Sequence, residues 1–592
     1  MTRPVRIANC SGFFGDRVSA AEQLLACGEP IDVLTGDWLA ELTMSILAKS
    51  QVRGRAGYAS TFVTQMRAVL GTCHERGIKV VSNAGGIDPV GCADKVRDIA
   101  AELGIDVTIA VVDGDDLTGR IDELRSAGEQ FSHLDTGQPW LVDTDEVVSA
   151  NAYLGGHAIT AGLRAGADIV ITGRVADAAV VSGAAAWWHD WSTGNFDALA
   201  GATIAGHAIE CGTQVTGGNL AFFTDVADLT EPGFPIAEIA QDGSSVITKM
   251  TGTGGAVSVD TVSAQLLYEI IGPRYAVPDV VARFDTVTLR QEGPDRAGIS
   301  AAQGEPAPAQ AKALLTFPGG FRNAMTLAIT GTDRRAKAEL AERAVWAQIQ
   351  GGRDRFDEVT VEVVGASLDS SAPDDQSYLR ISVADRDATA VGREFSSAVV
   401  ATALGSYPGL YLTTPPGAAT EFMVGWPTLI DVSRLRPRLR VGDEYLEVPP
   451  APVTQTQIAD RPVRFGTEIA DAGDDVTTVT IGEYLGARSG DKGGNANLGL
   501  WIRDESHLRL LEYLSDPLRL TTLFPEFADH EVRVYPLPNL LAVNIVIIGF
   551  LGNGVAASLR EDPQAKSLGE RFRAVRATVP AALLTELASL EA

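Results

Sequence analysis

The chain has 592 residues, with 48 Lys and Arg against 76 Asp and Glu, for a net charge of −28. Its 45 % apolar and 21 % charged residues exclude a largely disordered chain. So acidic a surface repels phosphate backbones and excludes nucleic acid as a partner, though a local cationic site can still bind a small anion. At roughly 100–200 residues per domain, the length predicts two to four domains. The 61 glycines exceed the usual share of about 7 % and follow no Gly-X-Y period, so they serve turns and close backbone contacts. Five cysteines, odd in number and without a CxxC pair, argue against a disulfide framework or structural zinc and fit a reducing cytosol. The N-terminus lacks the apolar core of a signal peptide, and the longest apolar run, 540–551, is too short to span a bilayer. A soluble cytoplasmic protein with no membrane partner is expected.

The fold class expected is α/β: a parallel-sheet N-terminal core with an α+β subdomain, plus a small C-terminal ferredoxin-like α+β domain. In chain order, strands are expected at 5–10, 31–35, 78–82, 107–112 and 168–172, with helices at 20–27, 62–76 and 93–103 between them. Ser19 is the N-cap candidate of the first helix. Strand–helix alternation implies parallel strands with right-handed crossovers and helices on both faces. Residues 1–250 are read as this α/β part. From 251 to 450 the pattern changes to period-2 runs at 286–290, 359–364 and 378–383, with helices at 336–350 and 394–404, an α+β part of the same core. Residues 451–475, Pro-rich and then acidic, read as a linker. Residues 476–592 form the small domain, with strands at 476–481, 496–502, 531–536 and 542–548 and helices at 506–514 and 565–573.

In open α/β sheets ligands bind beyond the carboxyl ends of the strands. The five early strands are followed by Ser11–Arg17 (SGFFGDR), Gly36-Asp37, Asn83-Ala84-Gly85-Gly86, Asp113–Asp116 and Gly173-Arg174-Val175-Ala176-Asp177. Each ending pairs glycine with Asp, Asn or Arg, which predicts one shared site containing Gly15, Asp16, Arg17, Asn83, Gly85, Gly86, Arg174 and Asp177. Neither a GxGxxG dinucleotide fingerprint nor a GxxxxGK[ST] nucleotide loop is present. The stretch His207-Ala-Ile-Glu210-Cys211-Gly212 offers Glu210 as a proton-transfer base, or Cys211 as a thiolate activated by His207. Cys211 also fits a small buried apolar residue, and His207 with Cys211 lacks a third zinc ligand. The loops TQVTGGN (Thr213, Gly217, Gly218, Asn219) and TGTGG after Lys249 are candidate anion cradles or plain turns. Residues 487–497 read as a Gly-rich loop between strands, with Arg488, Ser489, Asp491, Lys492 and Asn495 suited to a phosphate or carboxylate. The other histidines, His157 among them, and the Trp clusters 187–191 and 425–427 read as structural or interface residues.

At these same loops the chain resembles the acyclic terpene utilisation AtuA-type family. The matching motifs are GFFGDR (12–17), SNAGG (82–86), YLGGHAITAGLRAGADIVITGRVADAA (153–179), GHAIECGTQVTGGN (206–219), FPIAEI (234–239), QLLYEI (265–270) and ARSGDKGGNANLG (487–499). The resemblance implies a large AtuA core followed by an AtuA-like ferredoxin-fold domain. It further implies a place beside acyl-CoA carboxylases, hydratases and dehydrogenases that degrade branched isoprenoid acids as CoA thioesters. Ile87-Asp88-Pro89 and Gly155-Gly156-His157 depart from the family pattern.

The leading expectation is an enzyme acting on an acyl-CoA or related carboxylate by proton abstraction beside a carbonyl, in hydratase or lyase chemistry. Glu210 is then the base, with Cys211 and Asp177 as further catalytic candidates. Arg488 and Lys492 would bind a charged tail or carboxylate, and Asn83, the N–H groups of Gly85 and Gly86, or Arg174 would steady an enolate. No cofactor and no metal are expected, and a homo-oligomer is. The rival reading is a non-catalytic partner or scaffold of acyl-CoA carboxylase subunits.

Overall fold

The computed structural model describes residues 3–370, 372, 374–413, 415–446, 448, 453–455, 460–463 and 475–584. Most of the expected linker lies outside the described residues. Within it, Val453–Gln455 is a strand beside Gln303–Pro308. Two compact units emerge: Met1–Leu315 with Trp426–Phe550 and Ala565–Ala592, and Thr316–Gly425 with Leu551–Gln564. The C-terminal domain therefore belongs to the same unit as the N-terminal sheet. This unit runs past residue 250, because the hairpins 288–300 and 438–446 extend the N-terminal sheet.

The first unit is built on an eleven-stranded sheet among the described residues. Its strands are β1 (Val5–Asn9), β2 (Val33–Gly36), β3 (Lys79–Ser82), β4 (Ile109–Asp113), β5 (Ile169–Thr172), β6 (Pro235–Ile239), β7 (Ser245–Lys249), β8 (Thr288–Gly293), β9 (Arg296–Ser300), β10 (Arg438–Val441) and β11 (Glu444–Leu446), in the order β8-β9-β7-β6-β1-β2-β3-β5-β4-β10-β11. The central five, β1-β2-β3-β5-β4, are parallel. Antiparallel strands flank them on both sides. The five expected parallel strands are thus present, within two residues of their expected ends.

Chain order fixes which face each helix takes. From β1 to β3 the strands advance in one direction, and right-handed crossovers place Ala20–Ala26 and Ser60–Arg76 on one face. The step from β4 back to β5 reverses direction and sends the next helices to the other face. Alternation within the strands follows. Ala8, Val80, Val111 and Ile171 join Leu24, Phe62 and Val96 in one core, whereas Ile7, Val81, Val112 and Val170 join Ile159, Val181 and Ile204 in the other. Helix Pro89–Leu103 starts as its sequence dictates: Asp88 accepts a hydrogen bond from Gly91 N at 2.8 Å and Pro89 takes the first helical position. Ser19, by contrast, makes no side-chain cap, and its carbonyl alone accepts from Gln23 N.

The C-terminal sheet holds β12 (Leu485–Lys492), β13 (Asn495–Ile502), β14 (Val532–Leu537) and β15 (Ala542–Ile547) in antiparallel order β12-β13-β15-β14. Here the expected loop 487–497 is corrected. Residues up to Lys492 form a strand, and only Gly493-Gly494 turn the chain. The reason is steric. A Cβ at Gly486, Gly490 or Gly499 would stand 2.2–2.5 Å from Trp501, Tyr268 or Leu267, so these glycines make room for bulky neighbours within the sheet.

The second unit carries a sheet of Glu358–Gly365 and Ser377–Asp385 with residues 316–329 and 420–425 of two longer strands. Helices Arg334–Ala347 and Phe395–Ala401 cover one face through Val345, Phe395 and Val399. Ala384, Phe422, Val424, Ala557 and Leu559 pack together as a separate cluster. Among the described residues no helix is long and apolar enough to cross a membrane.

Candidate active site

The helix Phe196–Glu210 delivers the central group. Its small residues pack tightly, and Gly212 with φ of 59° stops it, leaving Glu210 in the last turn and Cys211 as the cap. Asn9, at the end of β1, ties this terminus to the sheet by donating to Ile209 O at 2.7 Å and Glu210 O at 3.0 Å. Gly12 allows the approach, because a Cβ there would lie 2.4 Å from the carbonyl carbon of Cys211.

His207 Nδ1 and Glu210 Oε1 are 2.9 Å apart, one turn from each other, at 1 % and 5 % exposure. Gln265, on the helix Val259–Leu266, donates to His207 O at 3.3 Å. Glu210 Oε2 and His207 Nε2 are buried without a hydrogen-bond partner among the described residues. Burial raises the pKa of Glu210, with Asp177 adding to the rise while His207 and Lys492 oppose it. A helix C-terminus, with its partial negative charge, adds to the cost of a carboxylate there.

Around Glu210 stand the ends of the parallel strands. Asp37, after β2, accepts from Asn83 Nδ2 at 2.5 Å, and Asn83 Oδ1 accepts from Trp38 N at 2.8 Å. Burial, then the charges of Asp177 and Glu210, raise Asp37 well above the carboxylate range. Arg174, after β5, is buried against the Tyr153 ring at 4.0 Å and ion-paired to Asp177, whose side chain touches solvent. Asp115, after β4, accepts from Arg174 N at 3.0 Å and Asn151 Nδ2 at 2.8 Å, and burial pushes it up to about 7. Four strand ends therefore meet at one edge through Asp37, Asn83, Asp115 and Arg174. Asn83 and Gly86 N–H are engaged internally, by Asp37, Trp38 and Asn83 O, so their role is to hold the floor of the site. A Cβ on Gly85 would stand 2.5 Å from Thr172 O, so Gly85 serves packing between β3 and β5.

The C-terminal domain brings β12 to the same place. Arg488, Gly490 and Lys492 share one strand face with Asn495, Asn497 and Gly499 opposite them. Lys492, half-buried, makes no hydrogen bond or ion pair among the described residues, and its charge lowers the pKa of both Glu41 and Glu210. Arg488 donates to Gln214 Oε1 at 2.6 Å and lies over the Tyr268 ring at 4.2 Å. Asn497 Oδ1 accepts from Glu269 N at 2.8 Å, and Asn497 and Asn544 both donate to Ile270 O. These amides hold Glu269 at φ of 58°, a strained conformation beside Cys211 and Asp491.

Other candidates take different places. Ser489 Oγ donates to Ala565 O and accepts from Gly569 N, which holds the domain's own architecture, whereas Asn495 accepts from Gly549 N and donates to Asp135 of the N-terminal part. Lys249 binds Thr253 O and Asp295, while Arg17 binds Pro232 O, so neither cation is left open. Asp16 accepts from Gly12 N, and Gly15 packs under the Phe13 ring. Thr213 O accepts from Gly218 N within a turn, Gly217 adopts φ of 105°, and Asn219 is exposed. His207 Nδ1 faces Glu210 and not a thiolate, while burial and the charges of Glu210 and Glu269 hold Cys211 as the thiol. Asp491 is pushed up to about 7, first by burial and then by Glu269. His157, read from the sequence as structural, is paired with the buried Asp279.

Sequence reasoning missed Glu41, Tyr153, Lys312, Gln214, Tyr268 and Glu269. Lys312 Nζ pairs with Glu41 at 2.7 Å over the Tyr153 ring. Among the described residues no three His, Cys, Asp or Glu side chains are grouped to hold a metal ion.

The strand ends of this α/β scaffold thus gather a buried carboxylate, Glu210, and two cations, Arg488 and Lys492, that make no ion pair among the described residues. The profile of the acyclic terpene utilisation family protein AtuA matches residues 5–441, and that of the AtuA ferredoxin-like domain matches residues 479–577. The chain belongs to this AtuA family, which is implicated in acyclic terpene utilisation. Neither a curated protein nor a solved structure matches it.

Proposed function

We propose that the protein is an enzyme of branched, isoprenoid-acid catabolism that abstracts a proton beside the carbonyl of an acyl-CoA or related carboxylate. The reading is carried by one observation: the Glu210 carboxyl is buried and raised in pKa at the strand-end edge, with Oε1 held by His207 and Oε2 without a hydrogen-bond partner among the described residues. A base with pKa moved toward neutrality is matched to such a transfer. Glu210 Oε2 takes the proton, the electron pair of the C–H bond moves to the carbonyl oxygen, and the Lys492 ammonium steadies the resulting charge. Expelling a β-substituent from this intermediate gives the lyase outcome, and a β-hydroxyl that leaves as water with the abstracted proton gives the hydratase reaction in its dehydration direction. Arg174 and Asn83 act as positioning residues, the first for Asp177 and the second for Asp37.

The test is a mass-spectrometric screen of branched acyl-CoA thioesters with the purified protein and its Glu210→Gln variant. Consumption of a thioester by the native protein, abolished in a folded Glu210→Gln variant, is expected. Undiminished turnover removes Glu210 from the chemistry. No turnover, together with co-purifying carboxylase subunits, favours the scaffold reading.

A further inference from the structure

Beside Arg488 lies a cavity of about 380 Å³ that the proton-transfer chemistry does not use. Its polar wall is Arg488, Lys566 and Asn219, and its apolar wall is Leu220, Phe223 and Leu229. We infer that it is an oxyanion-binding subsite, taking a phosphate or carboxylate group carried on an apolar stem.

Charge is the first argument. Arg488 is 7 % exposed and makes no ion pair among the described residues; its partners are the neutral Gln214 amide and the Tyr268 ring. Burying a guanidinium is costly unless a counter-charge completes it, and the open cavity is where an anion fits. Lys566 adds a second cation on the same Tyr268 ring, at 4.4 Å. Glu570, the acid on the wall, is held by Arg573 at 2.8 Å, so the cavity keeps its positive character. Ser489 also lines it, but its hydroxyl is engaged with Ala565 O and Gly569 N, whereas the exposed Asn219 amide makes no hydrogen bond among the described residues. Chemistry of the walls is the second argument. A guanidinium presents paired N–H donors to an oxyanion, and the Leu and Phe side chains suit an alkyl stem rather than a bare ion.

Position relates the cavity to the reaction site. Arg488 and Lys492 share a strand face four residues apart, about 13 Å at a strand's rise per residue. An elongated substrate reacting near Lys492 thus has its anionic end at Arg488. Only that orientation rests on the reading of Glu210 as base; binding at the cavity does not.

Titration calorimetry of the full chain with n-hexyl phosphate, hexanoate and n-hexanol tests the subsite. At least one anion should bind and hexanol should not, and the stronger anion tells a phosphate from a carboxylate site. Arg488→Gln and Lys566→Met should each weaken that anion tenfold or more, with Glu210→Gln unchanged. Should Arg488→Gln fail to fold, Lys566→Met carries the comparison. Absence of anion binding to the native protein, equal binding of hexanol, or unchanged affinity in a folded variant of either cation overturns the inference. Loss of turnover in Glu210→Gln bears on the base and leaves this result standing.

Discussion

Arg488 donates a hydrogen bond to the side-chain oxygen of Gln214 at 2.6 Å, which joins the C-terminal sheet to the turn that ends the Glu210 helix. The small domain therefore packs against the end of that helix. Its strand face supplies Lys492 to Glu210 and two amides to the backbone after Tyr268.

Asn497 is the first position where this joint can be tested. Asn497→Ala removes the acceptor of Glu269 N and one donor to Ile270 O, leaving buried backbone groups short of partners. A loss of about 1–3 kcal/mol in denaturant unfolding is expected. Turnover should fall further than the stability change alone explains, since Glu269 is freed from its strained conformation. Unchanged stability would mean that Asn544 alone suffices.

Gly12→Ala probes the other side of the same turn. The new Cβ meets the Cys211 carbonyl carbon at 2.4 Å, and backbone on both sides has no rotamer by which to yield. Overpacking of this kind costs about 1–3 kcal/mol, so a lowered midpoint of thermal unfolding and impaired turnover are expected. Gly128→Ala, with nothing within 4 Å of the added carbon but φ of 106°, is the control for backbone strain without a clash.

Lys312→Met tests the ion pair with Glu41. Burial pushes Glu41 up, but Lys312 and Lys492 pull it further down, so its pKa lies below the ordinary value of 4.5. Such a group stabilises the fold above its unfolded pKa, and the contribution is lost as pH falls through the folded value. The variant should lose about 1–3 kcal/mol at pH 7 and converge with the native protein once Glu41 is protonated at low pH. Urea titrations at several pH values read this directly.

Asp115 predicts the opposite slope. Its pKa is raised from 3.8 to about 7 by burial, so between those values the folded protein holds a proton that the unfolded chain releases. Its contribution to stability then falls as pH rises from about 4 to about 7, by an amount on the order of a few kcal/mol. Asp115→Asn should flatten that part of the profile in the same titrations. An unaltered profile would show that Asp115 is ionised throughout.

The parallel sheet was legible because β1 to β5 carry β-branched runs between amphipathic helices, and their polar endings predicted the shared edge at Asp37, Asn83 and Arg174. Local signals failed where a glycine's reason was a distant neighbour. Gly490 looks like a loop residue, yet it faces Tyr268, more than two hundred residues earlier. Lys312 gave no signal, since its place depends on Tyr153 N bonding Lys312 O at 2.8 Å across the fold. Glu269 stood inside a recognised motif, QLLYEI, but its strained conformation depends on Asn497 of the C-terminal sheet. Arg17 and Lys249 drew attention as cations beside glycine, and only three-dimensional neighbours revealed their internal partners.

The central claim is that Glu210 removes a proton beside a carbonyl. Incubating branched acyl-CoA thioesters with the protein in D₂O, and reading deuterium at the α-carbon by mass spectrometry, tests it most directly. The native protein should incorporate deuterium into at least one thioester, and a folded Glu210→Gln variant should incorporate none. Incorporation by Glu210→Gln at the native rate, or none by the native protein across the panel, would contradict it.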